Sequence, residues 1–161
     1  MVDQQPYILF YVVMGFASLG WVSLLVFPRK NWANFWVAGI SIPLILSLVY
    51  IYALATFWFR TPQGDFLEFL KLSGVHDMFA NRGLLLVAWI NILVADLALG
   101  AWMARKAAQV RMPYVYLAPC LLLTFGFAGV GFILFSILVA FGNRWPKVAE
   151  YEDEPRKLGW N

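Results

Sequence analysis

Asp96 is the side chain of this sequence best suited to acid–base chemistry, because it is the one charged residue inside four long apolar runs. A carboxylate near the centre of a transmembrane helix costs on the order of 3 kcal/mol and is rarely exposed to lipid. We therefore expect Asp96 to face the interior of a helix bundle, protonated or hydrogen-bonded, as a candidate acid. The structural alternative is a buried hydrogen bond to a tyrosine hydroxyl, from Tyr50 or Tyr52.

Asn91 and His76 are the other polar residues that such chemistry would use. At about 100° per residue of helix, Asn91 points about 140° away from Asp96, so the two side chains face different neighbours. Asn91 then serves most simply as a hydrogen-bonding group between helices. His76 precedes Asp77 in a loop, where a histidine and a carboxylate can relay protons, although such pairs are more often only solvated.

Aromatic and small side chains indicate where a flat apolar ligand would bind. Trp89 lies deep in the third run, where its indole N–H must face protein or ligand to find a partner. The fourth run holds several small residues close together, which let helices pack closely or leave a slot for a polyene. Close packing is the simpler explanation. The ligand-binding candidates are Trp89, Tyr50, Tyr52, Gly126 and Gly129.

Four apolar helices must position these residues. The 161-residue chain is 62% hydrophobic and 13% charged, with a mean hydropathy of +0.71. A bilayer core of about 30 Å needs roughly 20 apolar residues per helix. We therefore predict an all-α integral membrane protein, with a four-helix transmembrane bundle over 1–142 and a polar tail over 143–161. The predicted helices are about 7–27, 36–59, 84–103 and 114–141, and Pro43 should kink the second.

The loop between the second and third runs predicts a short helix at the membrane interface. Asp65 and Glu68 have the spacing of a capping box ahead of several apolar residues, and Ser73-Gly74 would end the helix. We place this helix at about 65–73. It would serve either as a lid on the bundle or as a gate to a lateral pocket.

Basic residues do not decide the orientation when each run is taken as one crossing. The first and third loops then share a side with five lysines and arginines, whereas the second loop and the tail carry seven. Short, densely basic loops and the N-terminal flank, which has no lysine or arginine, carry the most weight. On that basis we expect both termini outside the cytoplasm.

The composition offers little for cofactor chemistry. His76 is the only histidine and Cys120 the only cysteine, which excludes a haem held by two histidines, a multi-histidine metal site and an intrachain disulfide. No Gly-rich phosphate loop and no metal-ligand cluster occurs in the sequence. The net charge of +3 is scattered over loops and gives no nucleic-acid footprint. We identify no cofactor, and any chemistry would be acid–base work on a membrane-soluble substrate.

Three stretches, in order and spacing, resemble the small membrane family named after the plant protein abscisic-acid-deficient four. The resemblance also includes the end of the first run at Pro28 and the Tyr50-Ile-Tyr52 region, so it extends to about Phe141. It implies a four-helix membrane protein, and the short chain resembles bacterial members, which implies a bacterial inner or intracytoplasmic membrane. The three stretches are Leu72-Ser-Gly-Val-His-Asp-Met-Phe79, Ala88-Trp-Ile-Asn-Ile-Leu-Val-Ala-Asp-Leu97 and Pro119-Cys-Leu-Leu-Leu-Thr124.

The plant members of that family are implicated in neoxanthin formation, in which the epoxide of violaxanthin is converted to an allene. This reaction needs an acid at the epoxide oxygen and a base at the polyene chain. The resemblance places Asp96 at the family's acid position. Asn91 stands where the plant pattern Ala-Trp-Ile-His has its histidine, and an amide is no base near neutral pH. This departure favours carotenoid binding, or a related carotenoid reaction, over neoxanthin synthesis.

The leading hypothesis is therefore a protein that binds or acts on a carotenoid or isoprenoid lipid, as an isomerase-like enzyme or as a binder. The alternative is a non-catalytic accessory subunit that docks on a larger photosynthetic or respiratory membrane complex. Besides the bilayer and a carotenoid or isoprenoid lipid, the expected partners are a larger membrane complex or further copies of this chain in a homo-oligomer. A transporter is less favoured, because the four runs hold one charge and show no internal repeat.

Overall fold

The structure, a computed structural model, describes residues 4–27, 32–59, 67 and 70–142, with the backbone alone for 32–35. Within these ranges all regular structure is helical, as the sequence predicts. The predicted tail, 143–161, lies outside the described residues. The α-helices are α1 (Gln5–Val26), α2 (Ile42–Ala53), α3 (Leu72–Ala80), α4 (Arg82–Gln109), α5 (Tyr114–Gly126) and α6 (Ala128–Phe141).

Three helices in the described ranges are long and apolar enough to cross a membrane: α1, the second long helix at Trp36–Trp58, and α4. At about 1.5 Å of rise per residue, each is longer than a hydrocarbon core of roughly 30 Å. They correspond to the first three predicted helices. The largest difference is at the end of α4, which continues to Gln109.

α1 and the second long helix both pack on α4, and they run in opposite directions. The Tyr7 ring lies 5.7 Å from the Arg82 guanidinium carbon, and Trp21 lies against Gly100, so α1 and α4 run parallel. The second long helix is antiparallel to both, because Ile42 lies beside Gly20 and its other end reaches the start of α4. A Cβ at Gly100 would lie 2.9 Å from the Trp21 ring, which explains the glycine at this close approach.

The second long helix changes its hydrogen-bonding pattern twice. It is π-helical over Trp32–Ser41, α-helical over Ile42–Ala53 and π-helical again over Leu54–Trp58. Pro43 stands just after the junction between the first π-helical segment and the α-helical segment, inside a continuous helix, where it removes one backbone N–H donor. The structure therefore accommodates the predicted irregularity at Pro43 with a change of helix type.

The predicted fourth helix, 114–141, is instead two helices that fold back on each other. α5 ends at Gly126, Phe127 adopts a non-helical conformation, and α6 begins at Ala128. A Cβ at Gly131 would lie 2.7 Å from the carbonyl oxygen of Cys120, eleven residues earlier. In one straight helix these residues would be separated by about 16 Å along the axis. The structure thus does not confirm a single fourth crossing helix.

Glycines and one tertiary contact accompany the break at Phe127. Pro119 removes one backbone donor inside α5 without ending it, whereas three glycines lie at and just after the end of α5, at 126, 129 and 131. The Thr124 side chain donates to the Cys120 carbonyl oxygen at 2.8 Å and lies against Gly131. Because Gly131 has no side chain, the backbones of α5 and α6 approach closely at this point.

A short helix, α3, precedes α4 in a stretch expected mostly to be loop, while part of the predicted interfacial helix at about 65–73 lies outside the described residues. The capping-box residues Asp65 and Glu68 lie outside the described residues, and the described helix is α3, Leu72–Ala80. Gly74, expected to end a helix, lies inside α3 and is buried with Met78 one turn later. These two residues share the face that packs on α4, and this packing outweighs the low helix propensity of glycine.

Candidate functional site

A cavity of about 490 Å³ lies between the end of the second long helix, α3 and the first half of α4. Its volume is within the range of about 300–1,000 Å³ that small-molecule sites occupy. Most of its lining is aliphatic or aromatic. The lining residues are Tyr50, Leu54, Trp58, Phe59, Met78, Phe79, Leu84, Val87, Ala88 and Asn91.

Two local features hold the walls of this cavity in place. Asn81 caps α4, since its side-chain oxygen accepts hydrogen bonds from the backbone N–H groups of Gly83 (2.9 Å) and Leu84 (3.3 Å). The Phe57 ring lies against Gly83, where a Cβ would be 2.6 Å from ring atom Cδ1. The Asn81 cap stabilises the turn between α3 and α4. The absence of a side chain at Gly83 allows the second long helix to pack closely against the start of α4.

The wall from the second long helix is partly π-helical. Leu54 and Trp58 belong to the π-helical segment, in which the wider turn shifts side chains relative to a regular α-helix. Such segments frequently occur at functional sites. The cavity therefore lies beside the C-terminal π-helical segment of this helix.

The polar groups of the cavity are uncharged. They come from Asn91 and Tyr50, with the indole of Trp58, and no described residue that lines the cavity carries a charge. The Asn91 amide offers two N–H donors and a carbonyl acceptor, so it can bind an ether, hydroxyl or carbonyl oxygen. The arrangement suits a neutral, largely apolar molecule with an oxygen at one place.

Two of the residues predicted from sequence meet at this cavity. Asn91 comes from α4, on the face that also carries Leu84, Val87 and Ala88, while Tyr50 comes from α2. The four α4 residues are related by steps of three or four positions, which place them on one helix face. Asn91 thus faces the cavity rather than only a neighbouring helix.

Asp96 lies on another face of α4 and does not line the cavity. It is half-buried, on the face of Gly100 and Met103, which contact Trp21 and Thr124 respectively. Within the described ranges it makes no hydrogen bond and no ion pair, so the expected bond to Tyr50 or Tyr52 is not formed. Asp96 stays a candidate acid by prediction, separate from the cavity.

The other predicted site residues are dispersed. Trp89 is partly exposed on α4, Tyr52 is exposed on α2, and neither lines the cavity. Gly126 and Gly129 lie in the hairpin with no atom within 4 Å of a Cβ added there, so the close packing falls to Gly131 instead. Their roles in ligand binding stay predictions.

His76 lies on α3 rather than in a loop, and its side chain points to the solvent-accessible surface. Its Nδ1 lies 3.3 Å from Oδ1 of Asp77, with side-chain exposures of 81% and 68%. Neither residue is among those that line the cavity. The geometry therefore matches the solvated pair, the simpler of the two interpretations.

Sequence reasoning missed most of the cavity wall. Trp58 reads as an interfacial anchor because it stands at the end of an apolar run, and Met78 and Phe79 belong to a stretch expected to be loop. One part of the wall was predictable from the sequence. The spacing of three and four residues predicts one shared helix face for Leu84, Val87, Ala88 and Asn91.

Comparison with known proteins gives one match. The model of the family described as ABA DEFICIENT 4-like matches residues 8–135, which include α1, the second long helix, α3, α4, α5 and half of α6. No curated protein and no solved structure matches the chain. Since the match covers most of the 161 residues and every described wall of the cavity, the chain belongs to the ABA DEFICIENT 4-like family.

Proposed function

We propose that this protein binds a carotenoid or a related isoprenoid in the cavity between α3, α4 and the second long helix. The observation that carries the proposal is the position of Asn91. This residue stands where the plant pattern has its histidine, and it lines an otherwise largely apolar cavity. Family membership supports a carotenoid-related role.

The chemistry of the lining favours an oxygenated end group as the part of the ligand that is held. The Asn91 amide would donate to, or accept from, an oxygen on a terminal ring, while Leu54, Met78 and Val87 surround the ring itself. The remaining polyene would extend from the cavity along the apolar helix surface. Burial of the ring supplies most of the affinity, and the amide supplies orientation.

Binding explains these residues better than isomerisation does. Asn91 cannot remove a proton near neutral pH, and Asp96 is five residues away, or roughly 7.5 Å along the helix axis, on another face. An acid and a base that act on one epoxide must both reach it. These two residues of the described chain are not arranged to do so.

The test is pigment retention by variants that fill the cavity. The protein is produced in a bacterial host that makes carotenoids and purified in mild detergent, and bound pigment per protein is measured by absorption and chromatography. We expect wild type to retain pigment. Ala88→Phe, which fills the cavity, should lose most of it, whereas Ala98→Phe, on an exposed position of the same helix, should retain it.

Either of two results would contradict the proposal. One is wild-type protein without pigment although the host membrane contains it. The other is an equal pigment ratio in Ala88→Phe and Ala98→Phe, since that would place the pigment on the outer surface of the helices. Thermal stability of both variants in detergent controls for misfolding.

A further inference from the structure

The α5–α6 hairpin is too short and too sharply folded to carry the chain across a membrane. α5 has 13 residues and α6 has 14. At about 1.5 Å per residue each spans roughly 20 Å, against a hydrocarbon core of about 30 Å. Because Gly131 lies against Cys120 and Thr124, α6 returns alongside α5 instead of extending it.

Contacts with the long helices show at which end of the bundle the hairpin opens. The Tyr114 hydroxyl, at the start of α5, donates to the Leu25 carbonyl oxygen at the end of α1 at 2.6 Å. The Trp102 ring packs on Phe132 and Phe135 of α6, with ring centroids 6.0 and 5.9 Å apart. α5 therefore begins, and α6 ends, beside the C-terminal end of α4.

We propose that the chain crosses the membrane three times and that the α5–α6 hairpin enters and leaves the bilayer on the same side. The tip of the hairpin at Phe127 then lies within the bilayer. The N-terminal end of α1 and the C-terminal end of α6 lie on opposite sides of the membrane. This arrangement differs from four crossings, which would place both ends on one side.

The distribution of basic residues supports this topology independently. With three crossings, nine of the twelve lysines and arginines of the sequence fall on the side of the hairpin opening, instead of the five-to-seven division that four crossings give. Only Arg60, Lys71 and Arg82 fall on the other side. The nine are Arg29, Lys30, Arg105, Lys106, Arg111, Arg144, Lys147, Arg156 and Lys157.

This bias sets the orientation. Basic residues near the ends of crossing helices are retained on the cytoplasmic side, and the excess here is three to one. The hairpin opening is therefore cytoplasmic, with the N-terminal end of α1 outside. The N-terminal orientation predicted from sequence is kept, and the C-terminal one is reversed.

The orientation also assigns the cavity to one leaflet. The α4 residues that line it, Leu84 to Asn91, belong to the half of α4 nearest its N-terminal end, whereas the hairpin packs on the opposite half. The cavity then opens in the leaflet away from the cytoplasm, so a membrane-dissolved ligand enters from that leaflet. This last step rests on the proposed function, but the topology does not.

The experiment is site-directed cysteine labelling in a Cys120→Ser background, in which serine can keep the bond from Cys120 to the Tyr116 carbonyl oxygen. Single cysteines replace Gln4, Ser73, Gln109 and Asn161, and a membrane-impermeant maleimide is added to intact or lysed bacterial cells. Gln4→Cys and Ser73→Cys should be labelled in intact cells. Labelling of Gln109→Cys and Asn161→Cys should rise several-fold after lysis.

The outcomes separate the parts of the proposal. Asn161→Cys labelled from the same side as Gln4→Cys would overturn the three-crossing topology. Opposite sides with Gln4→Cys inside would overturn the orientation alone. A C-terminal fluorescent protein that folds only in the cytoplasm gives a second readout that needs no cysteine, and it should be bright. None of these measurements depends on a bound ligand, so absence of pigment would leave them unchanged.

Discussion

In the proposed site, Asn91 would determine which ligands the cavity distinguishes, because it is the polar residue that α4 contributes to an otherwise apolar wall. An amide binds a neutral oxygen in either role, as donor or as acceptor. It would stabilise a bound hydroxyl or epoxide without moving a proton. At the scale of single residues, we therefore expect the proposed site to select by hydrogen bonding and shape.

Replacement of Asn91 by leucine should change selectivity more than total binding. A neutral hydrogen bond contributes about 1 kcal/mol, so Asn91→Leu should weaken binding of an oxygenated carotenoid roughly fivefold. Binding of a hydrocarbon carotenoid should be unchanged or slightly stronger. The measurement is competition between the two pigments for detergent-purified protein, with Ala95→Leu, at an exposed position, as the matched control. An equal loss for both pigments would show that the amide has no such role.

Asp96→Asn should leave pigment binding intact, because Asp96 lies off the cavity and asparagine preserves its size and hydrogen-bonding capacity. We expect the pigment ratio and the thermal stability in detergent to match those of wild type. Chromatography of xanthophylls incubated with both proteins tests the candidate acid directly. A product formed by wild type and not by a folded, pigment-loaded Asp96→Asn would establish Asp96 as the acid and refute a purely binding role.

At the scale of helices, the sequence predicted what depends on length and hydropathy. Long apolar runs located α1, the second long helix and α4, because a crossing helix has to be long and apolar. The same rule failed for α5 and α6. A run of 28 apolar residues is long enough for one crossing, and the reversal at Phe127 depends on a tertiary contact between Gly131 and Thr124.

The site shows the same division. Asn91 and Tyr50 were predictable, because a polar side chain inside an apolar run requires a hydrogen-bonding partner or has a functional role. Trp58, Met78 and Phe79 were not, because an apolar side chain that lines a cavity has the same composition as one that faces lipid. Only the packing of α3 on α4 distinguishes the two.

Gly131→Ala tests the hairpin as an element. The added methyl group would meet backbone atoms of Cys120 and Thr124, so the helices must separate, at a cost of about 1–3 kcal/mol. Gly129→Ala adds the same methyl group in open space and should be neutral or slightly stabilising. Thermal unfolding in detergent should give a melting temperature several degrees lower for Gly131→Ala only. Equal melting temperatures for the two variants would argue against the folded-back hairpin.

At the scale of the whole molecule, α4 connects two structurally distinct regions. Its N-terminal half forms the cavity with α3 and the second long helix, and its C-terminal half supports the hairpin. Buried residues occur along both halves of α4, and they form one hydrophobic core with buried residues of α1. The ring of a ligand held in the cavity would therefore contact the second long helix, α3 and α4, and it would lie away from the hairpin.

Photo-crosslinking tests this central claim most directly. A benzophenone amino acid replaces Phe79, a partly exposed residue of the cavity wall, or Phe125, a similarly exposed residue of the hairpin. After illumination of pigment-loaded protein, peptide mass spectrometry gives the yield of pigment adducts at each position. We predict adducts at position 79 and few or none at position 125. Equal yields at both positions would contradict the account, because they would mean that pigment covers the outer surface as lipid does.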